Sequence, residues 1–317
     1  MKFLFIVHRT YPYSGGSEYN IKLITEALVN CGHKVVVLTD CGMGNYGGVE
    51  VTLDRSEIFS TNYDLIIIHG ADMPTQDYAL YNLHNMHVPT LYWIIKPSDS
   101  ASAIIGMKNA TYVGWGTSFD LQHIIKYDVE YKAVYIRYVV DLPTLIKNTT
   151  FIKPRATMFL SSGGFSPHKG FAELAECFNS LKLKDTALVL TGYINSPPDN
   201  IQGDNIIPIF CNTRVEYLNI LAAADLYIMN SFEEGFGLVL LDAMLNKVPW
   251  ISRDIAGAHD MQDYGRVYNT KEELQYSLFN YRKNTILTQA AHDYVLNCRI
   301  PKNMVDDLMQ IFNKSSV

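Results

Sequence analysis

The chain has 317 residues, 48% of them apolar and 18% charged, with a formal net charge of −6 at pH 7. This length favours two domains of ordinary size, and the apolar content gives each half enough material for its own core, which excludes a disordered or fibrous chain. The charge divides as −3 over residues 1–150 (11 Lys+Arg against 14 Asp+Glu) and −3 over the remainder, so there is no basic arm to attract nucleic acid or anionic lipid indiscriminately.

"MKFLFIVHRT" opens the chain with one Lys and a short apolar run, too short for a signal-peptide core or a membrane span, and reads as a first buried strand. The glycine turn "YSGGSE" follows. Then "YNIKLITEALVNCGH" places Ile21, Ile24, Leu28 and Val29 near helical period before Gly32 stops the helix. "KVVVLTD", "YDLIIIHG" and "PTLYWIIKP" are further buried strands. Strands that are apolar throughout and alternate with helices predict a parallel sheet covered on both faces, so residues 1–142 are expected to form a doubly wound α/β domain. "DLPTLIKNTTFIKPR" is polar with two prolines and marks an expected linker at 143–155.

The same grammar then restarts. "ATMFLSSGGF", "TALVLTGY", "DLYIMNS" and "PWISR" read as strands, and "GFAELAECFNSL", "RVEYLNILAAA" and "LVLLDAML" as helices, which sets a second α/β domain at 156–295. The tail from about 272 is helical in pattern, and 296–317 is a C-terminal helix that can pack back on the first domain. Cys31, Cys41, Cys177, Cys211 and Cys298 are scattered, with neither C-x-x-C nor zinc-ligand spacing, and predict reduced thiols in a cytoplasmic protein. Ligands of such folds bind outside the carboxyl ends of the strands, so the polar residues just after each strand are the functional candidates.

Three stretches stand there. In "SFEEGFGLVLLDAMLNKVPWIS", residues 231–252, Glu234 and Asp242 flank a turn with Gly235 and Gly237 that delivers backbone N–H groups to a helix N-terminus, a setting suited to phosphate. The plainer reading makes Glu234 a helix cap and Asp242 a partly exposed helix residue. In "SSGGFSPHKGF", residues 161–171, Gly163 and Gly164 precede Lys169, a point charge suited to a diphosphate; Gly170 stands where a P-loop needs Ser or Thr. In "RTYPYSGGSEYN", Gly15 and Gly16 follow the first strand, either as a loop closing over a ligand or as a turn with Ser17 as N-cap. The missing G-x-G-x-x-G argues against a dinucleotide oxidoreductase. His69 and Lys96 end two strands of the first domain, and both can be simple polar strand ends.

Taken together, "VEYLNILAAADLYIMNSFEEGFGLVLLDAMLNKVPWIS", "GGSE", "YDLIIIHG", "YIRYVVD" and "GGFSPHKGF" resemble, in order and spacing over nearly the whole chain, the motifs of retaining glycosyltransferases of family 4. The resemblance implies a GT-B fold, two facing Rossmann-like doubly wound parallel-sheet domains with a cleft between them. It implies a nucleotide-diphosphate sugar donor, UDP- or GDP-linked, on the C-terminal domain, an acceptor on the N-terminal domain, and neither cofactor nor metal. By position, Glu234 would contact the transferred sugar, the backbone of Gly235, Phe236, Gly237 and Leu238 the sugar and phosphates, Asp242 the ribose, and Lys169 the diphosphate. Gly15, Gly16, Gly163 and Gly164 would close on the donor, and His69 and Lys96 would join the catalytic set.

The chain departs from that pattern in three places. Asp242 stands where the family has Glu; Gly164 stands where it has Arg, leaving Arg9, Arg253 or Lys96 to supply the charge; and "WIIKPSDS" replaces a strand ending in His, leaving Lys96, Asp99 or His69 for that contact. These losses motivate two alternatives, a sugar-nucleotide-binding protein with little or no transfer and a sugar-nucleotide epimerase. The base would be read around "TGYINSPPDN", and "HIIKYDVEYKAVYIRYVV" mixes cations and tyrosines that could meet an acceptor. A carbohydrate, lipid-linked, protein or modified nucleic-acid acceptor all fit, and oligomeric state leaves no mark.

Overall fold

The computed structural model describes residues 1–10, 15–42, 44–163, 165–192 and 201–314. The chain divides into two compact units, Met1–Val139 with Arg299–Val317, and Val140–Cys298.

The first unit carries strands β1 (Lys2–Arg9), β2 (Lys34–Cys41), β3 (Glu50–Thr52), β4 (Leu65–His69), β5 (Thr90–Trp93), β6 (Tyr112–Trp115) and β7 (Ala133–Tyr135). Its helices are α1 (Gly16–Asn30), α2 (Pro74–Tyr81), α3 (Ala101–Asn109) and α4 (Ser118–Lys126). All strand pairs are parallel, in the order β3-β2-β1-β4-β5-β6-β7. Phe3 to Val7 and Leu65 to Ile68 are buried along their whole length because helices cover both faces of the sheet. Chain order reverses beside β1, so the crevice where doubly wound sheets bind ligands opens at the carboxyl ends of β1 and β4.

The second unit carries β8 (Thr157–Ser162), α5 (Phe171–Leu181), β9 (Thr186–Gly192), β10 (Ile206–Phe210), α6 (Arg214–Ala223), β11 (Leu226–Met229) and α7 (Leu238–Leu245). It continues with β12 (Trp250–Arg253), α8 (Ala256–Asp260), β13 (Arg266–Tyr268), α9 (Lys271–Phe279) and α10 (Thr285–Cys298). The sheet is again parallel, ordered β10-β9-β8-β11-β12-β13, and reverses between β8 and β11. The last helix, α11 (Pro301–Lys314), returns to the first unit. There Met304, Leu308 and Ile311 are buried, and Asp307 accepts from Arg137 Nε and Nη2, both at 2.7 Å.

Several elements differ from the sequence reading. Residues 143–155, expected as a linker, are stitched to the second unit: Ile146 N donates to Asn246 Oδ1 at 2.8 Å, Thr149 Oγ1 to the Asn219 carbonyl at 2.6 Å, and Lys153 Nζ to Asp225 at 2.7 Å. Those partners lie 70 to 100 residues downstream, where local composition cannot reveal them. Ser17 lies inside α1, whose N-cap is Gly15. In "YIRYVVD" only Tyr135 belongs to a strand; Ile136 and Tyr138 to Val140 are buried without continuing β7.

Candidate functional site

In the second unit, the loops leaving β8 and β11 meet at the reversal point of the sheet. After β8 the chain makes a single turn at Pro167–Lys169 and enters α5 through Gly170, which has φ +66°. A side chain at Gly170 would collide with the carbonyl of Asn230, the first residue after β11, so close approach as well as backbone conformation requires glycine there. Asn230 Nδ2 donates to the Gly170 carbonyl at 2.7 Å, and Phe232 N donates to the His168 carbonyl at 2.8 Å. Arg253, at the end of β12, donates Nη2 to Glu173 at 2.6 Å and to Asn230 Oδ1 at 3.3 Å, while the Tyr268 hydroxyl also donates to Asn230 Oδ1. The two loops are thereby fixed to one another by groups from four elements.

The consequence is a contact that sequence spacing did not foresee. Lys169 Nζ donates to Glu234 Oε1 at 2.5 Å, and Ser231 Oγ donates to the same oxygen at 2.7 Å. The cation assigned to a diphosphate and the carboxylate assigned to a sugar thus hold each other, both largely shielded from solvent. Beyond Glu234, Phe236 is buried, and its carbonyl accepts from Gly257 N at 3.1 Å, which anchors the turn. Gly237, with φ +89°, starts α7 at Leu238.

The helix starts differ in how they are capped. α4, α6 and α9 carry complete capping boxes built on Thr117, Thr213 and Thr270. α5 and α7 begin at Gly170 and Gly237 without a side-chain cap, as do α1 at Gly15, α2 at Met73 and α8 at Ile255. An uncapped start leaves backbone N–H donors and the positive end of the helix dipole available to an anion. α5 and α7 present such starts within the zipped pair of loops, beside Lys169.

Asp242 lies one turn into α7 and faces inward. It is 2% exposed, and its Oδ1 accepts from Arg214 Nη2 at 2.6 Å; Arg214 also donates to Thr144 Oγ1 at 3.2 Å. Burial pushes its carboxyl up from the usual range, opposed by the Arg214 charge and hydrogen bond. It is therefore neither a partly exposed helix residue nor, in this arrangement, open to a ribose. Arg214 and Asn230 escaped the sequence reading. Arg214 follows Thr213 as an ordinary helix start, whereas Asn230 satisfies the rule that polar residues just after strands matter and could have been found by it.

The first unit holds the remaining candidates. His69 ends β4, 2% exposed and edge-on to Trp93 with ring centroids 4.8 Å apart; its Nε2 has no hydrogen-bond partner among the described residues. Burial drives its pKa down to about 3, so the imidazole is neutral at physiological pH. Lys96 is exposed beyond β5. Asp99 accepts from Lys126 at 2.8 Å and from the Tyr127 hydroxyl at 2.7 Å. Arg9 pairs with Glu18 at 3.4 Å. Gly164 and residues 193–200, most of the proposed base-reading segment, lie outside the described residues. Among the described residues no three His, Cys, Asp or Glu side chains form a metal-ligand group, and no helix is long and apolar enough to cross a membrane.

Comparison with known proteins bears on this arrangement. Residues 144–265 match the family model described as Glycosyl transferases group 1, a stretch that contains Lys169, Glu234 and Asp242. Sucrose-phosphate synthase from Thermosynechococcus elongatus is similar in structure with a TM-score of 0.79 at 13% identity, over 99% of this chain and 98% of that one. A glycosyltransferase from Rickettsia africae matches at 0.75 and 18% identity, over 99% and 98% of the two chains. Anabaena HepE, solved in complex with UDP and glucose, matches at 0.75 and 15% identity over 100% of both. No curated protein matches the sequence. The two parallel-sheet units are those of the GT-B fold.

Proposed function

We propose that the chain, whose residues 144–265 match the Glycosyl transferases group 1 model, moves a sugar from a UDP- or GDP-linked donor to an acceptor, retaining the anomeric configuration and needing no metal. The observation that carries this reading is the zipped pair of loops, where Lys169 and two uncapped helix starts converge at the reversal point of the second sheet. Breaking the anomeric bond leaves charge on a diphosphate, and preorganised donors aimed at that charge lower the barrier. Lys169 supplies one full charge, and α5 and α7 supply roughly half a charge each.

The Lys169–Glu234 contact gives the donor a specific way to engage. An arriving diphosphate draws Lys169 Nζ from Glu234 Oε1, and the freed carboxylate, still held by Ser231, turns its acceptors to the sugar hydroxyls. Asp242 acts first as the buried anchor of Arg214, and through it of Thr144; contact with the ribose would require Arg214 to give way. The experiment is proton NMR of the sugar released or transferred from UDP-glucose and GDP-mannose in excess EDTA, read before mutarotation. An α product from an α donor supports the reading; a β product contradicts retention, and loss of turnover in EDTA contradicts metal independence.

A further inference from the structure

The first unit contains a second organised polar cluster, separate from the residues discussed above. His8 and Asp40 are the penultimate residues of β1 and β2, in register one position beyond Val7↔Thr39, at the carboxyl edge where the sheet order reverses. His8 Nδ1 lies 3.1 Å from Asp40 Oδ2. The Asp40 carboxylate also accepts from Thr75 Oγ1, from Thr75 N at 3.3 Å and from Arg55 Nη2 at 3.1 Å. Burial alone would raise its pKa, but the bonds from Thr75, His8 and Arg55 outweigh that and hold it below the usual carboxylate range.

An ionised carboxylate on Nδ1 requires a proton on that nitrogen. In the neutral ring this leaves Nε2 as a bare lone pair, and Nε2 has no hydrogen-bond partner among the described residues. Thr75 ties β2 to the start of α2 and Arg55 ties it to the turn at Arg55–Phe59, so His8 is not needed for either stitch. Its side chain is 30% exposed, whereas the neighbouring His69 at the end of β4 is fully buried and neutral. Of the two histidines flanking the reversal point, His8 is the one a ligand can reach.

We propose that His8, its tautomer fixed by Asp40, is an acceptor-binding residue: Nε2 accepts a hydrogen bond from a hydroxyl of an alcohol acceptor such as a sugar. This rests on the transfer reading given above. Asp40 is the positioning residue, acting through the ring rather than on the substrate. Arg55 and Arg9 are paired with Asp40 and Glu18, so no net charge is offered to the acceptor, and the chemistry sought is a neutral hydroxylic compound.

The test has two arms. Long-range proton–nitrogen NMR of histidine-labelled protein at pH 7.5, with His8 assigned by His8→Asn, should show hydrogen on Nδ1 only, and Asp40→Asn should convert this to a tautomer mixture. Turnover of the bound nucleotide sugar is then measured with water and the methyl glycosides of glucose, galactose and mannose as acceptors. His8→Asn keeps an amide for Asp40 but lacks Nε2, and should lower turnover at least tenfold with donor Kd by calorimetry within twofold. His8→Gln, whose amide oxygen can reach the Nε2 position, should recover part of the loss. A proton on Nε2, or unchanged turnover in both His8→Asn and Asp40→Asn, overturns the proposal. A wild-type protein that binds donor but turns it over with none of these acceptors overturns the transfer reading instead, whatever the tautomer.

Discussion

Replacing His69 by Gln should remove a defined part of the acid sensitivity of this fold. The unfolded imidazole titrates near its usual value of about 6.5, whereas in the folded chain burial lowers it to about 3. Between those values the unfolded state binds a proton that the folded state refuses, so stability is complete above about 6.5 and falls as pH drops, by ~1.36 kcal/mol per unit. At pH 5.0 the His69 contribution is a loss of about 2 kcal/mol relative to pH 7.5, and it stops growing once pH passes below the folded value. Urea unfolding of wild type and His69→Gln at both pH values isolates this quantity, because the carboxylates and other histidines are common to the two proteins. The variant should be less stable at pH 7.5 if packing against Trp93 is lost, yet lose about 2 kcal/mol less than wild type on going to pH 5.0. Equal losses in the two proteins would show that His69 is protonated in the folded state.

Three further outcomes follow from the second unit. Lys169→Ala should cost ~2 to 4 kcal/mol in turnover, with circular dichroism unchanged, as for removal of one preorganised charge stabiliser; unaltered kcat/KM would remove Lys169 from the mechanism. Asp242→Asn strands Arg214 and should destabilise by ~3 to 5 kcal/mol if the pair is chiefly a buried anchor, with Asp242→Asn/Arg214→Met less damaged than the single variant; weakened nucleoside binding at wild-type stability would favour the ribose role. Gly170→Ala should cost at least ~1 to 3 kcal/mol from its left-handed backbone alone, more from the Asn230 carbonyl, and should impair donor binding by shifting Lys169; a wild-type Tm and Kd would refute the zipped-loop description.

The long apolar strands and the helices between them were legible in the sequence because burial on both faces leaves a mark on every residue, as in Phe3 to Val7 and Leu65 to Ile68. Short strands such as β3, β7 and β13 carry only three residues each and leave no periodicity to read. The loops with Lys169 and Glu234 could be located, since glycines after strands have few other uses. What could not be read is that these two side chains bond to one another, that Arg214 occupies Asp242, or that Asp40 fixes His8. Each of those contacts spans 28 to 65 residues and depends on sheet order, which no local pattern encodes. Residues 143–155 illustrate the converse: two prolines and a polar composition mimic a linker, yet the hydrogen bonds that tie the segment down come from distant helices.

The zipped loops of the second unit, as proposed, form a nucleotide-diphosphate sugar site. Isothermal titration calorimetry of UDP, GDP, ADP, CMP and their common sugar conjugates into the wild-type chain and Lys169→Ala, with and without EDTA, addresses it most directly. One diphosphate nucleotide and its sugar should bind saturably, unaffected by EDTA and at least tenfold more weakly in Lys169→Ala. Absence of binding by every nucleotide, or equal affinity in the two proteins, would contradict that assignment.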